Sequence, residues 1–355
     1  MYISVMNKET GVREAFAVQA EWCLKLNSPL TARLMAGLGH SLDRHTKTGN
    51  IVLDWAGPPG AMGDSVPLRL AGALHALVRR GALPELAEFY PPNDLPDAGT
   101  LTSAALRAIE DRDTEICAWL KHPPQTNEVG RSAILYPGFM QIAQETGLPL
   151  ALFEVGCSAG LNLNADRYRY RFGAISFGQS NSGVVLSPQW QGSPPGGADP
   201  VIRSRRGCDR NPFDIQDAEQ AERLIAYVWP DQPERMARIS AACKIGRQHP
   251  PGIDKADAAD WVDQMFGAPA EQGVARVLFH SIAFQYFPEE SQRRITARLR
   301  EAGAQATAEA PVAWLGYEHR DGRIPELTLR LWPGKGEARI LATGDAHCRE
   351  IIWTG

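Results

Sequence analysis

The densest chemistry in this 355-residue chain is one short run, Leu152-Phe153-Glu154-Val155-Gly156-Cys157-Ser158-Ala159-Gly160-Leu161-Asn162. Two enzyme chemistries can be built on it. In one, a buried strand ends on a carboxylate, Glu154, and a glycine turn follows. Glycines let the backbone bend tightly at the carboxyl edge of a sheet and approach a ligand closely. In the other, Gly156-Cys157-Ser158-Ala159-Gly160 is a G-x-S-x-G nucleophile elbow with Ser158 on a sharp strand-to-helix turn. Glu154 decides between them. An elbow strand is apolar up to its glycine, whereas a carboxylate near the end of a buried strand needs a partner to offset its desolvation, and a ligand crevice supplies one. An elbow also needs an oxyanion hole, and no His-Gly-Gly segment precedes this turn. The crevice is the leading reading.

Other polar groups cluster where a ligand could meet them. His280-Ser281-Ile282-Ala283-Phe284-Gln285-Tyr286 follows a second apolar run. His280 suits a general base, since its unperturbed pKa lies near physiological pH; the alternative is a hydrogen-bonded structural histidine. Gln285 is a weaker candidate for the substrate. In Gln125-Thr126-Asn127-Glu128-Val129-Gly130-Arg131, Thr126 or Asn127 can cap a helix at Glu128. The functional reading instead places Gln125, Asn127, Glu128 and Arg131 over the sheet edge, orienting the ligand. Asp166-Arg167-Tyr168, with Arg169 and Arg171, reads as an ion-paired helix end, or else as recognition of an acidic substrate. His347 is a second possible partner for Ser158 in the hydrolase reading.

These residues need a scaffold, and the apolar patterning provides one. Glu14–Leu26, Leu30–Leu42, Pro67–Arg80 and Leu101–Leu120 carry helical spacing, so residues 1–120 are expected to be a helical cap region. The character changes at Gly147. Leu148–Val155 is a continuous apolar run, the pattern of a strand buried on both faces. Strands at Val201–Cys208, Gly252–Asp257, Val274–His280 and Val312–Tyr317 then alternate with helices at Asp217–Val228, Glu234–Ile245, Ala258–Phe266 and Glu289–Ala302. Such alternation predicts an α/β domain with a parallel sheet over residues 121–355. Glu326–Trp332 and Glu337–Ala342, joined by Pro333-Gly334-Lys335-Gly336, read as a closing antiparallel hairpin. Residues 165–200 are read as an insertion with a small hairpin at Tyr168–Phe177.

On these residues the chain resembles class I S-adenosylmethionine-dependent methyltransferases. Their first motif is a hydrophobic strand, an acidic residue and three spaced glycines; Glu154, Gly156 and Gly160 match it and Ser158 replaces the middle glycine. The resemblance implies a Rossmann-like sheet with a reversed last strand, and S-adenosylmethionine lying across the strand ends. It further implies that Asp209, in Gly207-Cys208-Asp209-Arg210-Asn211-Pro212, takes the ribose hydroxyls and that Asp257 sits near the adenine. His280 would face the reacting centre as the base. The full length also resembles an uncharacterised bacterial family of about this size, a domain of unknown function. Its hallmarks are Gln-Thr-Asn-Glu-x-x-Arg at 125–131, Glu154–Leu163 followed by Asp166-Arg167-Tyr168, and His280-Ser281.

Composition bounds the partners. The chain is 44% hydrophobic and 22% charged with a formal net charge of −4, an ordinary globular balance that disfavours nucleic acid and anionic membranes. No apolar stretch approaches the ~20 residues of a membrane span. Six scattered cysteines with no C-x-x-C pair argue against a metal site and for reduced thiols in the cytoplasm. The expectation is a cytoplasmic methyltransferase with a small-molecule acceptor; the oligomeric state is open. Three alternatives stand: a serine hydrolase using Ser158 with His280 or His347, a non-catalytic adenosylmethionine-binding protein and, least favoured, a nicotinamide dehydrogenase.

Overall fold

The computed structural model describes residues 8–193, 195–320 and 323–355. The chain divides into two compact units, one made of residues up to Thr126 with Ala218–Ala237, the other of Asn127–Asp217 with Arg238–Gly355.

The first unit is helical. Lys8–Lys25, Pro29–Ser41, Val66–Arg79 and Ala98–Asp111 bury Phe16, Met35, Leu38, Leu70, Leu74 and Leu101 in one core. The expected single helix over Leu101–Leu120 is two, Ala98–Asp111 and Asp113–Leu120, broken at Arg112. The Asp113 carboxylate takes the backbone N–H groups of Lys47 and Thr48, which anchor a short helix, Lys47–Leu53, that the spacing did not predict. The helix Ala218–Ala226, expected within the α/β alternation, folds here instead. Glu222 pairs with Arg79, the Ala226 carbonyl bonds His75, and Asp231 accepts from Leu30 N and from Ser28 Oγ.

His75 sets the acid sensitivity of this unit. It is 3% exposed, with Nδ1 2.9 Å from the Ala226 carbonyl oxygen. Burial lowers its pKa from 6.5 to about 4, so the fold holds it neutral. A folded-state pKa below the unfolded one gives stability that is complete above pH 6.5 and lost as the pH falls to about 4, worth about 3 kcal/mol in all. Wild type is therefore expected to lose more melting temperature between pH 7 and pH 4.5 than His75→Gln, whose amide can still donate to Ala226. Parallel melting profiles would rule this out.

The second unit is a mixed α/β fold with a large, mostly parallel sheet. Its strands in chain order are β1 (Leu150–Val155), β2 (Arg169–Phe172), β3 (Ile175–Gly178), β4 (Val185–Leu186), β5 (Gln189–Gln191), β6 (Ile202–Asp209), β7 (Gly252–Lys255), β8 (Ala275–Ser281), β9 (Val312–Glu318), β10 (Glu326–Trp332), β11 (Arg339–Gly344) and β12 (Glu350–Trp353). The large sheet runs β5-β12-β11-β10-β9-β8-β1-β6-β7, and β2, β3 and β4 form a separate small sheet. The five strands from β7 to β9 are parallel; β10, β11 and β12 then alternate in direction. Taken by order of entry, the parallel part is 3-2-1-4-5, and its direction of growth reverses between β1 and β8. Ligands of open α/β sheets bind outside the carboxyl ends of the strands at such a switch point. The hairpin continues outward strand by strand, so the expected reversal of the last strand takes the form of an antiparallel β10 beside β9.

The helix Ser132–Thr146, which the apolar spacing did not predict, packs behind the switch point. Gly138 lies against Leu315 of β9, and Phe139 meets Phe279 of β8 edge-on with ring centroids 5.1 Å apart. After the glycine turn the chain enters a 3₁₀ segment, Leu161–Arg167, rather than the expected α-helix. The insertion is a built piece of the domain: Tyr170 of β2 stacks on Tyr136 at 4.2 Å, and β5 pairs with β12 at the sheet edge. No described helix is long and apolar enough to cross a membrane.

Candidate functional site

Strand β1 is paired on both sides and delivers Val155 to the switch point, where the chain turns through three left-handed residues: Gly156 at φ +68°, Ser158 at +55° and Gly160 at +65°. Close packing requires the two glycines. A Cβ on Gly156 would sit 2.7 Å from the Ala283 methyl, and one on Gly160 2.8 Å from Ile253 Cδ1. Ser158 bears the strain of a side chain in a region few non-glycine residues enter. The N–H groups of Gly156 and Cys157 both donate to the Cys208 carbonyl. Ser158 N donates to Asp209 Oδ2 at 2.9 Å, and Asn211 N donates to Asp209 Oδ1 at 2.9 Å. Asp209 thus ties the end of β6 to the turn.

Glu154 is 2% exposed, and its Oε2 has no hydrogen-bond partner. Burial, reinforced by the negative charge of Asp209, raises its pKa well above the carboxylate range against the opposing pull of Arg131 and Asn162. The side chain is sealed beneath the turn, where burial favours its protonated form. Ser158 Oγ is likewise buried without a partner. A serine nucleophile needs its base within hydrogen-bond reach, and among the described residues none bonds this hydroxyl.

Above the turn, at the ends of β1, β6 and β7, lies a cavity of about 220 Å³ lined by Gly156, Asp209, Arg210, Asp257, Tyr286 and Phe287 among others. That is slightly below the ~300–1,000 Å³ of typical ligand clefts. Asp257 caps the helix Ala258–Gly267 through Ala259 N and pairs with Arg210 at 2.6 Å, which holds its carboxyl below the usual range. Three expected cofactor residues, Gly156, Asp209 and Asp257, therefore meet at one cavity. Glu154, Ser158 and Gly160 do not line it.

The polar motif around residue 128 works as a set of fasteners. Asn127 Oδ1 accepts from Leu161 N at 2.9 Å. Glu128 Oε1 accepts from Gly130 N at 2.9 Å and lies 3.7 Å from Arg238 Nη1. Arg131 donates through Nη1 to the Ser281 carbonyl at 2.8 Å and through Nε to the Ala346 carbonyl at 3.1 Å. These bonds join the segment before the helix Ser132–Thr146 to the glycine turn and to the end of β8. Gln125 is half-buried in the first unit and is not part of this set.

His280 is 3% exposed at the end of β8. Trp314 Nε1 donates to its Nε2 at 2.9 Å, and its Nδ1 faces Glu318 Oε1 at 2.6 Å. Nε2 therefore carries no proton, and Nδ1–H donates to the carboxylate. Both nitrogens are occupied, the arrangement of the hydrogen-bonded structural histidine that the sequence also allowed. Glu318 also accepts from the backbone N–H groups of Ala283 and Phe284 at 3.0 Å each and of Gln285 at 3.4 Å. Against the upward push of burial, the His280 bond and these amides hold its pKa below the carboxylate range. Ile282 supplies the bend at φ +46°, and Gln285 Oε1 accepts from His319 N.

Residues 13–353 match the family described as "Uncharacterized protein conserved in bacteria (DUF2332)". The chain belongs to this family. No curated protein matches it, and no solved structure matches it. Of the hallmark segments Gln125–Arg131, Glu154–Leu163 with Asp166-Arg167-Tyr168, and His280-Ser281, the DUF2332 chain brings Asn127–Arg131, Glu154–Asn162 and His280-Ser281 together around the switch point. Among the described residues no three of His, Cys, Asp and Glu come together as a metal site. Sequence reasoning missed Glu318 and Trp314, the partners that orient His280. The signal was present: Val312–Glu318 is a second apolar strand that ends on a carboxylate, as β1 nearly does.

Proposed function

We propose that the DUF2332 chain is an S-adenosylmethionine-dependent methyltransferase acting on a small molecule, with a class I Rossmann-like second unit. The observation that carries this reading is the meeting of Gly156, Asp209 and Asp257, from the ends of three adjacent parallel strands, at one cavity beside the switch point. The residues present fit the group. Each Asp209 oxygen bonds one backbone N–H and keeps a lone pair for a ribose hydroxyl. Tyr286 and Phe287 line the same cavity as Asp257, an aromatic lining that suits a purine. Bound there, S-adenosylmethionine would supply a methyl already activated by its sulfonium sulfur.

The chain's own residues then have mainly to align two reactants, since effective molarity supplies much of such a rate. The glycine turn lets the backbone close on the ligand, and Asp209 fixes that turn. Glu154, sealed beneath it, shapes the turn from below. His280 and Glu318 hold the loop at 282–287 over the cavity, so His280 is a positioning residue. Gln285 stands on that loop towards the acceptor side.

Calorimetry with S-adenosylmethionine and S-adenosylhomocysteine on the full chain tests this. Both ligands are expected to bind wild type, and Asp209→Ala is expected to weaken them roughly ten- to hundredfold, the value of a hydrogen bond to a charged group. No heat with either ligand at millimolar concentration overturns the reading.

A further inference from the structure

The loop that lines the first cavity also lines a second one, of about 290 Å³. Tyr286, Phe287 and Ser291 face the first; Phe284, Gln285 and Gln292 face the second. One segment is thus a wall common to both. The second cavity has aromatic sides. Phe284 stacks on His280 with ring centroids 4.8 Å apart, and Trp314 meets Phe284 edge-on at 5.7 Å.

Its charges are unevenly satisfied. Glu318 is saturated by His280 and three backbone N–H groups. Glu326 lies 3.8 Å from Arg320. Arg330 differs: its guanidinium sits 5.8 Å above the Trp314 ring and gives one bond, from Nη1 to the Gly336 carbonyl at 2.8 Å. An arginine has five N–H donors in a planar fork that matches a carboxylate. Among the described residues no carboxylate pairs with this one. Arg300 and Arg320 add like charge: burial first, then these two, lowers the Arg330 pKa. What the group lacks is an anion, and what surrounds it favours a flat one.

We propose that this second cavity binds a small flat carboxylate, its acid group on Arg330 and its flat body beside Phe284 and Trp314. That this ligand is the methyl acceptor rests on the methyltransferase reading; that the cavity takes a flat acid does not. An inorganic anion would leave the aromatic sides uncovered, and a neutral aromatic would leave Arg330 without its counter-ion.

The test is ligand-detected saturation-transfer NMR titration of the full chain with 2-naphthoate, 2-naphthamide and acetate. Wild type is expected to bind naphthoate at least roughly tenfold more tightly than naphthamide, the discrimination given by a charge-assisted pair, with acetate weaker still. Arg330→Gln should remove that preference while binding naphthamide as before, and Arg293→Gln, an exposed pair with Glu290 on the helix Glu289–Ala304, should leave it unchanged. Equal binding of acid and amide by wild type, no binding of the acid at millimolar concentration, or a preference that survives Arg330→Gln would each overturn the proposal. The wild-type comparison decides even should the variant fail to fold. Naphthoate binding that depends on Arg330, without any adenosylmethionine heat, would retain the flat-acid site and sink only the methyl-transfer reading; the reverse pattern would do the opposite.

Discussion

Glu318→Ala is expected to destabilise the protein by roughly 3 kcal/mol or more, since losing one charged acceptor leaves several N–H donors unsatisfied at about 1–3 kcal/mol each. The size follows from how many groups depend on one carboxylate. His280 Nδ1–H and the N–H groups of Ala283 and Phe284 all point at Oε1, and Gln285 N points at Oε2. Without it, donors in a nearly closed pocket lose their acceptor, and each such loss carries a desolvation cost. The loop at 282–287 also loses its tether, while Ile282 keeps its strained left-handed backbone. Urea unfolding should show a lower midpoint, and hydrogen exchange should show the Ala283 and Phe284 amides losing protection. Wild-type protection of those two amides in the variant would defeat the argument. The effect also has a pH sign. With a folded pKa below 4.5, Glu318 gives stability that is present above pH 4.5 and lost as the pH falls, so the gap between wild type and Glu318→Ala should narrow in acid.

Glu154→Gln is expected to act in the opposite direction. The folded pKa of Glu154 is raised, so the native state holds a proton that the unfolded chain gives up above pH 4.5. Wild-type stability therefore falls with rising pH by about 1.4 kcal/mol per unit, up to the folded value. Glutamine has nearly the same shape and no proton to hold. Its second polar atom meets the same lack of a partner that Glu154 Oε2 has, so the absolute change at pH 5 is small. The difference between the two proteins should then move in favour of glutamine as the pH rises above 4.5. Superimposable pH profiles would show that the carboxyl is not held neutral.

Some of this was legible along the chain and some was not, for reasons visible in particular residues. Leu150–Val155 and Val312–Glu318 read as strands because a run buried on both faces is apolar without interruption. The Ser132–Thr146 helix showed only a capping signal ahead of it and no period, for a related reason: ten of its fifteen residues are buried, so no polar face marks a 3.6-residue period, and Pro137 stands inside it. Ala218–Ala226 showed its helical period clearly, with Ala221, Leu224 and Ile225 on the buried side. Periodicity reports that a face is covered but not by what, and the cover proved to be the first unit. Glu318 was missed because the strand was ended one residue early, at Tyr317.

The sequence by itself determined the five parallel strands of the second unit and the hairpin after them, the position of the glycine turn and the family to which the chain belongs. These are local properties, written in hydrophobic period, in glycine placement and in short motifs. Only the tertiary structure decided that Asp209 caps the turn 51 residues earlier in the chain, that Trp314 and Glu318 occupy both nitrogens of His280 and that no carboxylate among the described residues pairs with Arg330. Those outcomes depend on which groups meet across strands far apart in the chain. A carboxylate or a guanidinium has no fixed role until burial and neighbouring charges determine whether it is ionised, paired or left open to a ligand.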